Sequence, residues 1–207
     1  MIDLHMHTKY SDGTDDVIEI LKKAEEKKLT CISITDHNTV DAYPILENID
    51  VSKYYSGKII VGVELNTKVL NVPIEILGYN FDYKMLKEKL PDIYISAEER
   101  NKIEFSRLVE KCKKAGIEIS DYDISQYDGK SFASKYIHQI ITRNIDNKKF
   151  IDEDAFNSSI VFYRKYMSDP SSAFYVEMDD IVPDFKTAAN LIKECGRKSF
   201  FTTYFWI

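Results

Sequence analysis

Short apolar runs that suit strands alternate with amphipathic segments that suit helices through most of this chain, and this alternation limits its fold more than any other feature. Residues 2–7 read as a strand. Ser11-Asp12-Gly13-Thr14 then makes a turn, and Asp15 and Asp16 suit the first turn of a helix whose apolar face is Val17, Ile20, Leu21 and Ala24. A second strand is expected over 31–34, ending in Thr35-Asp36-His37, a third over 58–64, and a fourth over 72–77. The clearest helix spans 97–115, with Gly116 as its C-cap, and others are expected near 132–143 and over 185–194. Strands alternating with helices predict an α/β fold with a mainly parallel sheet, open or closed as a barrel. The stretch near 144–184, acidic, aromatic and broken by Pro170 and Pro183, reads as an irregular insertion within a single domain of residues 1–207.

Composition narrows the class of function. A hydrophobic share of 44% supplies a sizeable core, while a net charge of −6 leaves no broad basic face for nucleic acid. That balance still permits a small anionic substrate held through metal ions. Cys31, Cys112 and Cys195 are odd in number and form no Cys-x-x-Cys pair, which suits reduced thiols and a cytoplasmic location. No apolar run is long enough to suggest a membrane span, and no signal peptide precedes the first strand.

Two of the four histidines, His5 and His7, fall in the opening strand. Side chains at i and i+2 of a strand share a face, so the two imidazoles can hold one ion together. Asp12 follows in the first loop, Asp36-His37 closes the second strand, and Glu64 closes the third. These are the positions where a parallel α/β fold carries its chemistry. Alone, Asp12 or Asp36 could simply cap a helix. Taken jointly, His5, His7 and Glu64 make the two-imidazole, one-carboxylate set of an open Zn, Mn or Fe site. Asp12 and His37 can begin a second site beside it, and Glu64, with two oxygens, can bridge the pair.

His5-Met6-His7-Thr8 with Ser11-Asp12-Gly13, then Thr35-Asp36-His37, then Gly62-Val63-Glu64, resemble in order and spacing the PHP family, named for polymerase and histidinol phosphatase. Weaker similarity runs through Ile76-Leu77-Gly78-Tyr79 and on to Gly196. The resemblance implies a distorted TIM-like barrel of seven strands, one to three divalent ions (Zn, Mn or Fe), and hydrolysis of a phosphate ester by a metal-activated water. It assigns His5, His7 and Glu64 to one ion, Asp12 and His37 to another, and Asp36 to an outer position that orients a ligand. The implied substrate is a small phosphorylated metabolite.

The later part of the family pattern differs here. Glu75 stands where a ligand histidine is usual, and can serve as a weaker one. Tyr136 stands at a second such position, and His138, two residues on, faces elsewhere on its helix and reads as a structural or surface histidine rather than a ligand. Thr203-Tyr204 replaces a His-Pro pair, and the family's final Asp-x-His has no counterpart before Ile207. The expectation is a fold incomplete at its C-terminal end, with an apolar terminus that invites self-association. The alternative to a phosphoesterase is a catalytically weak metal-binding remnant with a structural or regulatory role. An accessory nuclease role beside a polymerase has the least support.

Overall fold

Strand β1 (Ile2–Met6) pairs in parallel with β2 (Cys31–Ile34), Ile2 opposite Cys31 and Met6 opposite Ile34. Helix α1 (Val17–Glu26) makes the crossover between them. Its start is fixed by a capping box in which Asp16 accepts from the Glu19 amide and Glu19 accepts from the Asp16 amide. Val17, Ile20, Leu21 and Ala24 are all buried, as the apolar periodicity predicts. The structure, a computed structural model, describes residues 1–70, 72–196 and 200–204, the last five through their backbone.

The strand expected over 58–64 is in fact two. Lys58–Ile59 (β3) continues the parallel sheet beside β2, and a second strand, β4 (Gly62–Val69), begins after Val61. Gly62 permits that break: a Cβ there would collide with Ser33 Oγ and the Thr35 methyl. β4 then turns back on β5 (Val72–Tyr79) in an unbroken antiparallel ladder from Gly62–Tyr79 to Val69–Val72. The expectation of a mainly parallel sheet therefore fails in this half. A parallel return needs a crossover of a dozen or more residues, and only positions 70 and 71 separate β4 from β5.

Helices α2 (Ala42–Glu47) and α3 (Tyr83–Lys89) follow β2 and β5 respectively. By its contacts the chain divides into two compact units, one of Met1–Tyr94 with the chain from Val182, the other of Ile95–Ile181. The second unit is helical: α4 (Ala97–Ala115), α5 (Asp121–Gln126), α6 (Ala133–Arg143), α7 (Glu153–Asn157) and α8 (Ser159–Phe162), with a π-helical turn at Tyr163–Met167. Ser96 and Glu99 form the capping box of α4, and Gly116 closes it at φ +85°, a left-handed C-cap. Phe105, Leu108, Cys112, Ile137, Ile141 and Phe162 form this unit's core. The irregular stretch near 144–184 lies mostly here, together with the longer helices that precede it.

The first unit resumes with α9 (Phe185–Glu194), capped by the Asp184 carboxylate, and β6 (Phe200–Tyr204), antiparallel to β5 with Tyr204 opposite Glu75. Val63 and Leu65 of β4 and Ile74 and Ile76 of β5 pack with Ala188, Leu191 and Ile192 of α9 in its main core. Leu21, Leu29, Ile32 and Tyr55 form a smaller cluster. Among the described residues the strands form two three-stranded sheets, and no closed barrel. No helix among them is long and apolar enough to cross a membrane. The side chains of Thr203 and Tyr204, and the apolar end at 205–207 on which self-association was expected, lie outside the described residues.

Candidate metal centre

The site is assembled at the C-terminal ends of β1 and β2, where the chain just past β2 bridges to β4 of the other sheet. β1 delivers His5, and His7 follows one residue past its end, with ring centroids 5.0 Å apart. Just beyond β2, His37 bridges to Glu64 in parallel, the Glu64 amide donating to Asp36 O at 3.2 Å and the Asn38 amide to Glu64 O at 2.8 Å. This joins the C-terminal side of β2 to β4, so Glu64 sits near the start of its strand and not at the end of one, as the sequence suggested. Pleat alternation does the rest. Val63 and Leu65 point into the core, while Glu64 and Asn66 share the opposite face with Glu75, the cross-strand partner of Asn66.

Glu64 Oε2 is the hub. It lies 2.9 Å from His5 Nε2, 3.0 Å from His7 Nε2 and 3.6 Å from His37 Nε2, and its side chain is only 2% exposed. His7 Nδ1 lies 2.8 Å from Asp12 Oδ1, and His37 Nε2 3.8 Å from Asp12 Oδ2. Glu75 Oε1 approaches His37 Nδ1 at 3.7 Å. All five residues expected to bind metal, and Glu75 with them, are therefore gathered in one cluster.

Asp36 occupies a different position. It is 1% exposed and accepts three hydrogen bonds, from the Thr8 amide at 2.6 Å, Thr8 Oγ1 at 2.7 Å and Ser11 Oγ at 2.7 Å. It fixes the loop that carries Asp12 rather than touching an imidazole. Gly13 makes the same loop possible: a Cβ there would meet the His7 carbonyl, so the chain folds back tightly enough to set Asp12 on His7. Two other residues of the family pattern belong to the second unit. His138 is buried in the second unit with Nε2 2.8 Å from Ala155 O, the structural one of the two roles expected for it, and Tyr136 packs on Phe105 and Tyr127. Asn66 was not singled out from sequence, although its spacing of two from Glu64 marks it as sharing that face.

The electrostatics follow from three carboxylates facing three imidazoles. Burial opposes charge on His7, but its hydrogen bonds to Asp12 and Glu64 and their negative charge outweigh burial and lift it to about 10. The hydrogen bond to His7 holds Asp12 down at about 2, against the effect of burial. Burial would raise the Glu64 carboxyl, yet His7, His37 and His5 keep it below the usual carboxylate range.

Three overlapping triads have ligand atoms within 4.8 Å of one another: His5, His7 and Glu64; His7, Asp12 and His37; His37, Glu64 and Glu75. Two ligands of one tetrahedral ion at ordinary bond lengths stand about 3.3–3.6 Å apart. The separations of 3.6 and 3.8 Å between His37 Nε2 and its two carboxylates are too long for hydrogen bonds and close to that spacing. Mixed nitrogen and oxygen donors of this kind suit a borderline divalent cation. The residues present fit such an ion.

The PHP domain matches residues 3–146 of this chain. The chain belongs to the PHP domain family. Among proteins of known sequence, the 5′-3′ exoribonuclease Rnm of Salmonella typhimurium is 30% identical over 115 residues, covering 56% of this chain and 39% of that enzyme. An uncharacterized protein of Methanocaldococcus jannaschii is 28% identical over 185 residues, 79% of this chain and 98% of its own length. A solved structure from Bifidobacterium adolescentis, assigned as a metal-dependent phosphoesterase, superposes with a TM-score of 0.62 at 16% identity, over 98% of this chain and 65% of the other. At that identity the likeness speaks for the PHP fold alone. The chain thus spans about two fifths of the Salmonella enzyme and just under two thirds of the solved structure.

Proposed function

We propose that this PHP chain is a metal-dependent phosphoesterase. The observation that carries the reading is the sharing of one buried carboxylate oxygen, Glu64 Oε2, by three imidazoles, with Asp12 closing the second side of the cluster. His5, His7 and Glu64 would hold one divalent ion, and His37 with Asp12 another, Glu64 lying between them. Bound there, such ions supply an activated water and neutralise charge on phosphoryl oxygens. The chain's own part is to bind and orient: Asp36 holds the Thr8–Ser11 turn, and through it Asp12, while the β2–β4 bridge sets His37 against Glu64. Zn, Mn and Fe all suit this donor set. A distorted seven-stranded barrel is the family architecture into which we read the two described sheets, and reduced cysteines favour the cytoplasm.

For the substrate, a small phosphorylated metabolite fits the net charge of −6, since the metal ions and not a basic surface would hold the phosphate. A second reading, the phosphate-bearing end of an RNA, has one specific support, the similarity to the Salmonella exoribonuclease. An RNA end clasped by metal ions needs no broad basic face.

The test is hydrolysis of an aryl phosphate and of a 5′-phosphorylated RNA oligonucleotide, with added Mn or Zn, by the chain and its His7→Ala and Glu64→Ala variants. Turnover that both variants abolish is expected. Background activity with both substrates would overturn the proposal in favour of a metal-binding remnant, and activity that both variants retain would overturn it by showing that turnover does not depend on this cluster. The substrate with the higher kcat/KM separates the two readings.

A further inference from the structure

Like His7, which lies between Asp12 and Glu64, His37 has candidate metal partners at both nitrogens. Nε2 looks toward Asp12 Oδ2 and Glu64 Oε2 at 3.8 and 3.6 Å. Nδ1 looks toward Glu75 Oε1 at 3.7 Å, and toward Asn66 Oδ1 at 3.1 Å. A neutral imidazole has one lone pair, so it serves one side only, and the side is decided by where its single N–H goes. Of the atoms around Nδ1, Asn66 Oδ1 is within hydrogen-bond distance, whereas 3.7 Å to Glu75 is not.

We propose that Asn66 is a positioning residue of this centre: it accepts the Nδ1–H of His37 and so leaves Nε2 as the nitrogen offered to a divalent cation beside Asp12 and Glu64. The proposal rests on the reading of the cluster as a metal site. Ligand histidines commonly have their second nitrogen fixed in this way by an oxygen acceptor.

Three features make Asn66 suited to the task. It is clamped along its own backbone, its amide donating to Asn38 Oδ1 at 2.9 Å and its carbonyl accepting from Tyr94 Oη at 3.0 Å. Its neighbours Leu65 and Thr67 are 0% and 1% exposed, so the strand cannot swivel beneath it. Its amide is also neutral. A carboxylate at this position would add a fourth negative charge to Asp12, Glu64 and Glu75 and compete as a ligand itself.

Asn38 completes the arrangement. It follows His37 directly, takes φ +52°, a left-handed conformation that asparagine adopts more readily than most residues, and from there spans to both Glu64 and Asn66. The turn that aims His37 and the strand that fixes its tautomer are therefore tied to each other.

The test uses the full chain labelled with 15N-histidine, observed by long-range 1H–15N correlation at pH 8, metal-free and with zinc alone. His37→Asn identifies the His37 signals among the four histidines. His37 is expected to carry its proton on Nδ1 in both states, with Nε2 taking the metal-bound shift when zinc is added. Asn66→Leu should abolish the Nδ1–H signature and weaken zinc binding about 10–100-fold, and Asn66→Asp, which keeps an acceptor oxygen, should restore the signature. Protonation at Nε2 in the unaltered chain, or a His37 spectrum unchanged by Asn66→Leu, would overturn the proposal. Should Asn66→Leu not fold, the spectrum of the unaltered chain and of Asn66→Asp still decides. No step of this test requires turnover, so a chain with the Nδ1–H tautomer and no phosphatase activity upholds the role of Asn66 while rejecting the enzyme.

Discussion

His5 Nε2 lies 2.9 Å from Glu64 Oε2 although 59 residues separate the two in sequence. A carboxylate 2% exposed would be costly to bury alone, and the imidazoles around it compensate its charge. Glu64 is thus a structural partner of the histidines as well as a candidate ligand. Glu64→Ala is expected to lower divalent-metal affinity by more than the 10–100-fold typical of lost outer partners, and to destabilise the metal-free fold by about 2 kcal/mol as His5 and His7 lose a shared acceptor. Zinc titration calorimetry and urea unfolding would read the two effects separately.

Metal binding should release protons. His7 is raised from 6.5 to about 10, so the stability it lends the metal-free fold is complete below pH 6.5 and is lost as pH rises through 10. Asp12, lowered from 3.8 to about 2, lends stability that is present above pH 3.8 and lost as pH falls through 2. Between pH 6.5 and 9 a cation must displace the His7 proton, and apparent affinity should climb about tenfold per pH unit. Calorimetry in buffers of differing ionisation enthalpy counts that proton directly. A pH-independent affinity across this window would contradict the His7–Asp12–Glu64 arrangement.

Asp36 accepts three hydrogen bonds while almost wholly buried. Asp36→Ala strands the Thr8 amide and two hydroxyls and should cost about 3 kcal/mol by urea denaturation. Ser11→Ala removes one donor only and should cost about 1 kcal/mol. Because Asp36 steadies the Asp12 loop, the first variant should also lose metal, and added zinc should only partly restore its stability.

Gly13→Ala forces a Cβ against the His7 carbonyl, so the turn must open. We expect a loss of about 1–3 kcal/mol and weaker metal binding, since Asp12 moves with the turn. Gly116→Ala, at φ +85° in the second unit, should cost about 1 kcal/mol and leave metal content unchanged. Equal metal loss in both variants would indicate general unfolding rather than local displacement of Asp12.

Local chemistry made much of this legible in advance. Asp16, Ser96 and Gly116 mark helix ends through hydrogen bonds and backbone angles that involve near neighbours only, and the helices expected there were found within one or two residues. His5, His7, Asp12 and His37 were legible because strand alternation and strand-end placement are themselves local rules, whereas Glu64 joins them from near the start of β4 and not from the strand end expected for it. The β4–β5 hairpin was not legible. The connection between its strands carries neither glycine nor proline, and Leu70 takes φ +51° while 94% exposed, so Asn71 alone marked a turn in the sequence. The division of 58–64 into two strands depends on Gly62 meeting Ser33 and Thr35, residues about thirty positions earlier that no local window brings together. Asn66 escaped notice for a related reason: an amide gains a role here only beside the second nitrogen of His37.

The unbroken β4–β5 ladder has a consequence for how this protein can change. Glu64 and Asn66 alternate with Val63 and Leu65, so one strand serves a polar cluster on one face and an oil-filled interior on the other. Deleting or inserting a single residue within Gly62–Val69 would exchange the faces, setting leucine among imidazoles and a carboxylate among isoleucines. The connection between the two strands is free of that constraint. Length variation is therefore affordable between β4 and β5 and forbidden along β4 itself.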